Sequence, residues 1–115
     1  MPTKCWRISS PLHMFDIIAS VAARGDLEEI KTYLLTEFRN PQAVVNLEAA
    51  IRRAYDTLAE NPNAFPPCDD PRLRRKGYRK CVLTNYLFVY EVDESENLVK
   101  IHRFFHGLQN WALYL

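Results

Sequence analysis

Hydrophobic positions along the chain follow two different periods, and the change from one to the other divides it. From Met14 onward, Phe15, Ile17 and Ile18 flank the polar Asp16 and read as a short strand. Leu27, Ile30, Leu34 and Phe38 then recur at three- and four-residue steps, which predicts a helix from about Ala22 to Phe38. Ser20 is its N-cap if it starts early, and Asp26 with Glu29 a capping box if it starts late. Arg39 and Asn40 make a turn. Asn40 is a good N-cap, and Pro41 sits where a first-turn proline is tolerated. A second helix follows to about Glu60, with Val44, Leu47, Ile51, Ala54 and Leu58 as its apolar stripe. Two stripes joined by so short a turn must face each other, so the pair is an antiparallel hairpin. Glu48, Arg52, Arg53 and Asp56 fall on its outer, solvated face.

Residues 61–71 carry Pro62, Pro66, Pro67 and Pro71, which excludes a helix or central strand there. The period then changes to two. Tyr78–Leu83, Tyr86–Val92 and Leu98–Phe105 read as strands joined by short polar turns, an antiparallel meander. Gly107 ends it, and Leu108–Leu115 is expected to form one or two helical turns with Trp111 packing back. Residues 1–13 show no period, and Ser9, Ser10 and Pro11 interrupt any regular element. They are expected to be a loosely attached extension of a domain at 14–115, with Met14 a possible natural start. The fold class is α+β: an N-terminal strand, an antiparallel helical hairpin on one face of a C-terminal antiparallel sheet, and a short C-terminal helix.

Composition narrows the class without naming a function. The 115 residues suit one domain, which buries roughly two-thirds of its unfolded surface. Fifteen Lys and Arg against 14 Asp and Glu exclude a histone-like chain and an acidic tail. No apolar run reaches membrane-span length, so no membrane partner is expected. Cys5, Cys68 and Cys81 are odd in number and far apart, which argues against a disulfide framework and for a reducing cytoplasm. Three glycines cannot build a phosphate-binding or dinucleotide loop, and no cofactor is implied.

Charge is localised. Arg72, Arg74, Arg75, Lys76, Arg79 and Lys80 place six cations in nine residues without an anion. Such a patch attracts phosphate-bearing or acidic partners, although a charge run can equally be a solvated loop. Strict alternation along the last strand puts Lys100, His102, Phe104 and His106 on one side and Val99, Ile101, Arg103 and Phe105 on the other. Val99 and Ile101 suit the helix-packed side, so His106 is expected on the open side beside the cations. There it would serve as a general acid or base. With Arg79, Lys80 and Arg103 stabilising phosphate charge and Tyr86 or Trp111 stacking on bases, these residues would suffice for RNA cleavage. Alternatively His106 is a surface or structural histidine, and Arg103 pairs with a carboxylate near the helices unless a bulge near Phe104 and Phe105 brings it round. His102 is read as a sheet-face residue. His102 and His106 lie about 13 Å apart on a strand, too far to share a metal, and none is expected.

The segments "GDLEEIKTYL", "LAENP", "GYRK", "NYLFVYEVD" and "VKIHRFFHGLQNW", in this order, resemble the RelE/ParE family, the toxin halves of bacterial type II toxin–antitoxin systems. The resemblance covers roughly residues 14–115. It implies a cognate antitoxin, and a target that differs by branch: RelE-like members cut mRNA on the ribosome, while ParE-like members poison DNA gyrase. His106 falls where several ribosome-dependent members carry a catalytic His or Arg, Arg79 and Lys80 where members place phosphate-binding cations, and Arg103 where an arginine precedes "HG". Leu87 departs from the pattern, because the RelE type carries a catalytic Arg there. The expected function is a ribosome-dependent mRNA endoribonuclease with His106 as acid/base and Arg72, Arg74, Arg75 and Lys76 on nucleic acid. The alternatives are a gyrase inhibitor without nuclease activity and a non-catalytic peptide-binding module.

Overall fold

The computed structural model describes residues 7–8, 15–107 and 115. Strand β1 (Arg7–Ile8) is followed by β2 (Asp16–Ala19), helices α1 (Val21–Thr36), α2 (Pro41–Glu60) and α3 (Pro71–Arg75), then β3 (Arg79–Val82), β4 (Tyr86–Asp93) and β5 (Leu98–His106). The sheet runs β1-β2-β5-β4-β3. Strands β3, β4 and β5 form the expected antiparallel meander. The N-terminal strand adds to it in parallel, Asp16–Ala19 beside Leu98–Ile101, so the sheet is mixed rather than purely antiparallel. Strand β5 is therefore central, which accounts for Val99, Ile101, Phe104 and Phe105 being buried on its two faces. Within the stretch expected to be a loose extension, Arg7–Ile8 pairs as an edge strand with Ile17–Ile18. Trp111 and the expected terminal helix lie outside the described residues.

Local capping chemistry sets the helix starts. Ser20 is extended, and its Oγ accepts the Ala23 N–H at 3.0 Å, which selects the early start of α1. Asn40 Oδ1 accepts the Ala43 N–H at 3.1 Å with Pro41 in the first turn, as expected for α2. Helix α1 stops at Thr36, before the end its apolar spacing suggested. Phe38 lies beyond the helix, 62% exposed, with its ring edge-on to Tyr33 at 5.0 Å. Arg39 turns the chain with φ of +49°. Lys31 Nζ meets Glu48 at 2.8 Å and bridges the two antiparallel helices. Glu48 is thus exposed but paired across the hairpin. Its hydrogen bond raises the Lys31 pKa. Beneath, Leu47, Ile51, Ala54, Tyr55 and Leu58 pack on Ile17, Phe88, Tyr90, Val99, Ile101 and Phe104. A fully buried leucine such as Leu58 contributes roughly 1.5–3 kcal/mol.

Where β2 ends, α1 takes over as the hydrogen-bonding partner of β5. Ser20 N–H donates to the Ile101 carbonyl at 3.0 Å, and Ser20 Oγ donates to the His102 carbonyl at 2.9 Å. Nearly two turns on, Asp26 receives Arg103 in a two-pronged pair, Nε at 2.6 Å and Nη2 at 2.9 Å, and also accepts the Phe104 N–H at 3.1 Å. Asp26 therefore pairs with Arg103 rather than forming a capping box. Opposite this seam the β4–β5 register shifts: Val89 pairs with Arg103 and Tyr90 with Ile101, leaving His102 as the extra residue of a bulge.

Two predictions follow from the seam. Ser20→Ala removes a cap and a bond to β5, and should lower unfolding free energy by about 1–2 kcal/mol. Asp26→Asn should cost about 1.5–3 kcal/mol, the range for hydrogen bonds to a charged group. Urea unfolding with an unchanged m-value measures both, and an unshifted midpoint in either variant contradicts the seam's role.

Candidate functional site

The cationic run forms a helix rather than a loop. Asp70 Oδ1 accepts the N–H groups of Arg72 and Leu73, Pro71 occupies the first turn, and Arg72, Arg74 and Arg75 sit near the C-terminal dipole end. Gly77, with φ of +83°, turns the chain out of α3 and into β3, a conformation few side chains accept. Buried Leu73 pins α3 against Cys68, Leu87, Val89 and Phe105, with Leu115 and Tyr78 at the margin. These residues cover the sheet face opposite the hairpin. Arg72, Arg74, Arg75 and Lys76 are all exposed there. An anion joins them through the fold, since Asp69 lies 3.9 Å from Arg74 and 3.6 Å from Lys80. Arg74 Nε also donates to the Cys68 carbonyl at 3.1 Å.

Arg79 and Lys80 point to opposite faces of β3. Arg79 pairs across from Tyr90 and donates to the Phe65 carbonyl at 2.7 Å, tying the proline-rich loop to the sheet edge. Tyr90 bonds the same loop through Pro62 at 3.1 Å, and burial pushes its hydroxyl up to about 12. Burial likewise pushes the Cys81 thiol up to about 12, so Cys81 is an inert apolar filler as expected.

The expected juxtaposition of His106 with the cations does not occur. Because His102 is an extra residue, the alternation inverts beyond it. Lys100 and His102 stay on the open side, where His102 Nε2 lies 2.7 Å from Glu91 Oε1 and its ring 5.0 Å from Tyr78. Phe104 and His106 turn to the hairpin side instead, and Phe105 turns to the α3 side. The bulge precedes the position anticipated near Phe104 and Phe105. Arg103, with its guanidinium 5.5 Å from the Phe105 ring, is held by Asp26, which raises its pKa further. Arg79 sits four β4 residues away from the level of His106, about 13 Å, and on the far side of β4.

His106 instead lines a groove of about 960 Å³ between the hairpin and the β4–β5 end of the sheet. Its ring meets Tyr86 edge-on at 5.4 Å, and Tyr33, Phe38, Glu29 and Arg53 complete the walls. Burial, with a lesser contribution from the Tyr33 hydroxyl, raises the Tyr86 pKa. Tyr33, Phe38 and Arg53 were not legible as members of a site, since their helical spacing reads only as face and flank. The groove is aromatic and near-neutral, with Arg53 the one cation among its described lining residues. That suits docking of apolar side chains better than clamping phosphate. Among the described residues, no group of three His, Cys, Asp or Glu side chains is placed to hold a metal, and no helix is long and apolar enough to cross a membrane.

Comparison with known proteins agrees with this architecture. The chain spans 86% of its length on the toxin–antitoxin complex RelBE2 from Mycobacterium tuberculosis, covering 97% of that chain at 18% identity and a TM-score of 0.56. It spans 82% on the chromosomal ParDE toxin–antitoxin system from P. aeruginosa, covering 97% of that chain at 20% identity and a TM-score of 0.61. At these identities the likeness establishes the fold. No curated protein sequence matches the chain. Residues 17–111 match the family model described as ParE toxin of type II toxin-antitoxin system, parDE. The chain thus belongs to the ParE family of type II toxin–antitoxin toxins.

Proposed function

We propose that this toxin arrests growth by docking on a protein, DNA gyrase, rather than by cutting mRNA, and that a cognate antitoxin neutralises it. The observation that carries this reading is the inversion at His102. It sets His106 on the hairpin face, while α3 and its arginines occupy the opposite face. A nuclease needs a base and its phosphate clamps on one surface, because transition-state charge is stabilised only by donors within hydrogen-bonding reach. Arg103, the cation nearest in sequence, is already committed to Asp26. Leu87, where the RelE-type pattern has an arginine, is buried under α3. The ParE family match supports the same branch. Exposed Tyr33, Leu35, Phe38 and Val45 along the hairpin suit an apolar protein partner, the antitoxin among them.

The test is expression in bacteria without the antitoxin, with RNA ends and gyrase–DNA cleavage complexes mapped in one culture. Cleavage complexes should accumulate while mRNA stays intact, and His106→Ala should keep its growth arrest. If the chain is a ribonuclease, His106→Ala instead reduces translation-dependent cuts by about 10²–10⁴-fold, and the gyrase reading fails.

A further inference from the structure

A second cavity, of about 500 Å³, opens between α1, from Arg24 to Lys31, and the middle of α2, from Glu48 to Tyr55. It shares no lining residue with the His106 groove. Its floor is apolar, built from Ala19, Leu27, Ile51 and Phe104 with the Tyr55 ring. Its rim is charged. Lys31 is satisfied there, 2.8 Å from Glu48 and 3.6 Å from Glu28. Arg24 is not. Its Nε is closed off from solvent and has no hydrogen-bond partner among the described residues. Arg52 stands on the same rim, and neither arginine forms an ion pair with a described residue.

A shut-in guanidinium N–H without an acceptor is rare, and a carboxylate in the cavity completes it only as the Arg24 side chain, which lines the rim beside Arg52, turns toward it. Guanidinium donors match a carboxylate in shape as well as charge. With Lys31 balanced by one of the two glutamates, the rim carries a single net positive charge, which suits a monoanion. A doubly charged phosphate would face Glu28 and Glu48. The floor is mostly apolar and covers a hydrocarbon or aryl body, and the volume falls within the range of small-molecule sites.

We propose that this inter-helix cavity binds a small monocarboxylate with an apolar body, an aromatic or medium-chain aliphatic acid, its carboxylate on Arg24 and Arg52. The site is independent of the gyrase reading. Titration of the full chain with octanoate and phenylpropionate, against octanol and phenylpropanol, followed by calorimetry and amide NMR shifts, tests it. The acids should bind saturably, with shifts centred on α1 and α2, and about tenfold or more tighter than the alcohols. Arg24→Gln and Arg52→Gln should each remove most of that preference, and Lys100→Gln, on the other sheet face, should leave it intact. Equal binding of acid and alcohol, no saturable binding, or an unchanged preference in both arginine variants overturns the proposal. So does binding of a capped Glu-Phe peptide when the free acids do not bind, which would make the cavity a protein-anchor site. The acid-versus-alcohol comparison needs no variant, so it stands even if Arg24→Gln fails to fold.

Discussion

The junction of α1 with the unpaired stretch of β5 is the constraint that organises this molecule. Strand β2 covers β5 only as far as Ile101, and a central strand cannot leave its remaining polar groups bare. Ser20 and Asp26 supply the missing partners, from one N-cap and one carboxylate. To meet them β5 must bend, and it does so by inserting His102. The bulge and the Asp26–Arg103 pair are therefore two halves of one solution. The bulge sets Arg103 across from Val89 with its guanidinium over the Phe105 ring, and the Asp26 carboxylate of α1 holds that guanidinium and the Phe104 N–H.

The placement of the last strand's side chains depends on that inserted residue. A strand's faces are set by parity, so one extra residue exchanges every assignment downstream of it. Upstream, Val99 and Ile101 lie under the hairpin and Lys100 faces out. Downstream, Phe104 rejoins the hairpin core, Phe105 closes the α3 core, and His106 enters an aromatic groove. The sheet thereby separates two chemistries. One face carries α3 with its exposed cations, and the other carries exposed rings beside an imidazole.

Much of the fold was legible because its signals are local. Asn40 with Pro41 placed the start of α2, Ser20 was one of two starts foreseen for α1, and the three strands of the meander emerged within a residue or two. Helix α3 had a local signal too, Asp70–Pro71 at one end and Gly77 at the other, but the surrounding prolines and the density of charge made it read as a loop. The site was less legible because its determinant is not local. Asp26 and Arg103 are 77 residues apart, and nothing in either segment announces the other. The sequence permitted Arg103 a carboxylate partner without saying which. The bulge it accompanies leaves no mark in "VKIHRFFH", which reads as a regular alternating strand.

Family membership and strand motifs are consequently weak guides to mechanism in this architecture. A fold of this kind presents its last strand to both faces, and a register change of one residue decides whether a histidine near its end meets guanidinium groups or aromatic rings. Asp26, only 14% exposed, is bonded at three points, twice by Arg103 and once by the Phe104 N–H. Such a pair holds its arginine in one geometry far more firmly than a surface ion pair would. The same contact that lets α1 cap the sheet commits the Arg103 guanidinium to a carboxylate.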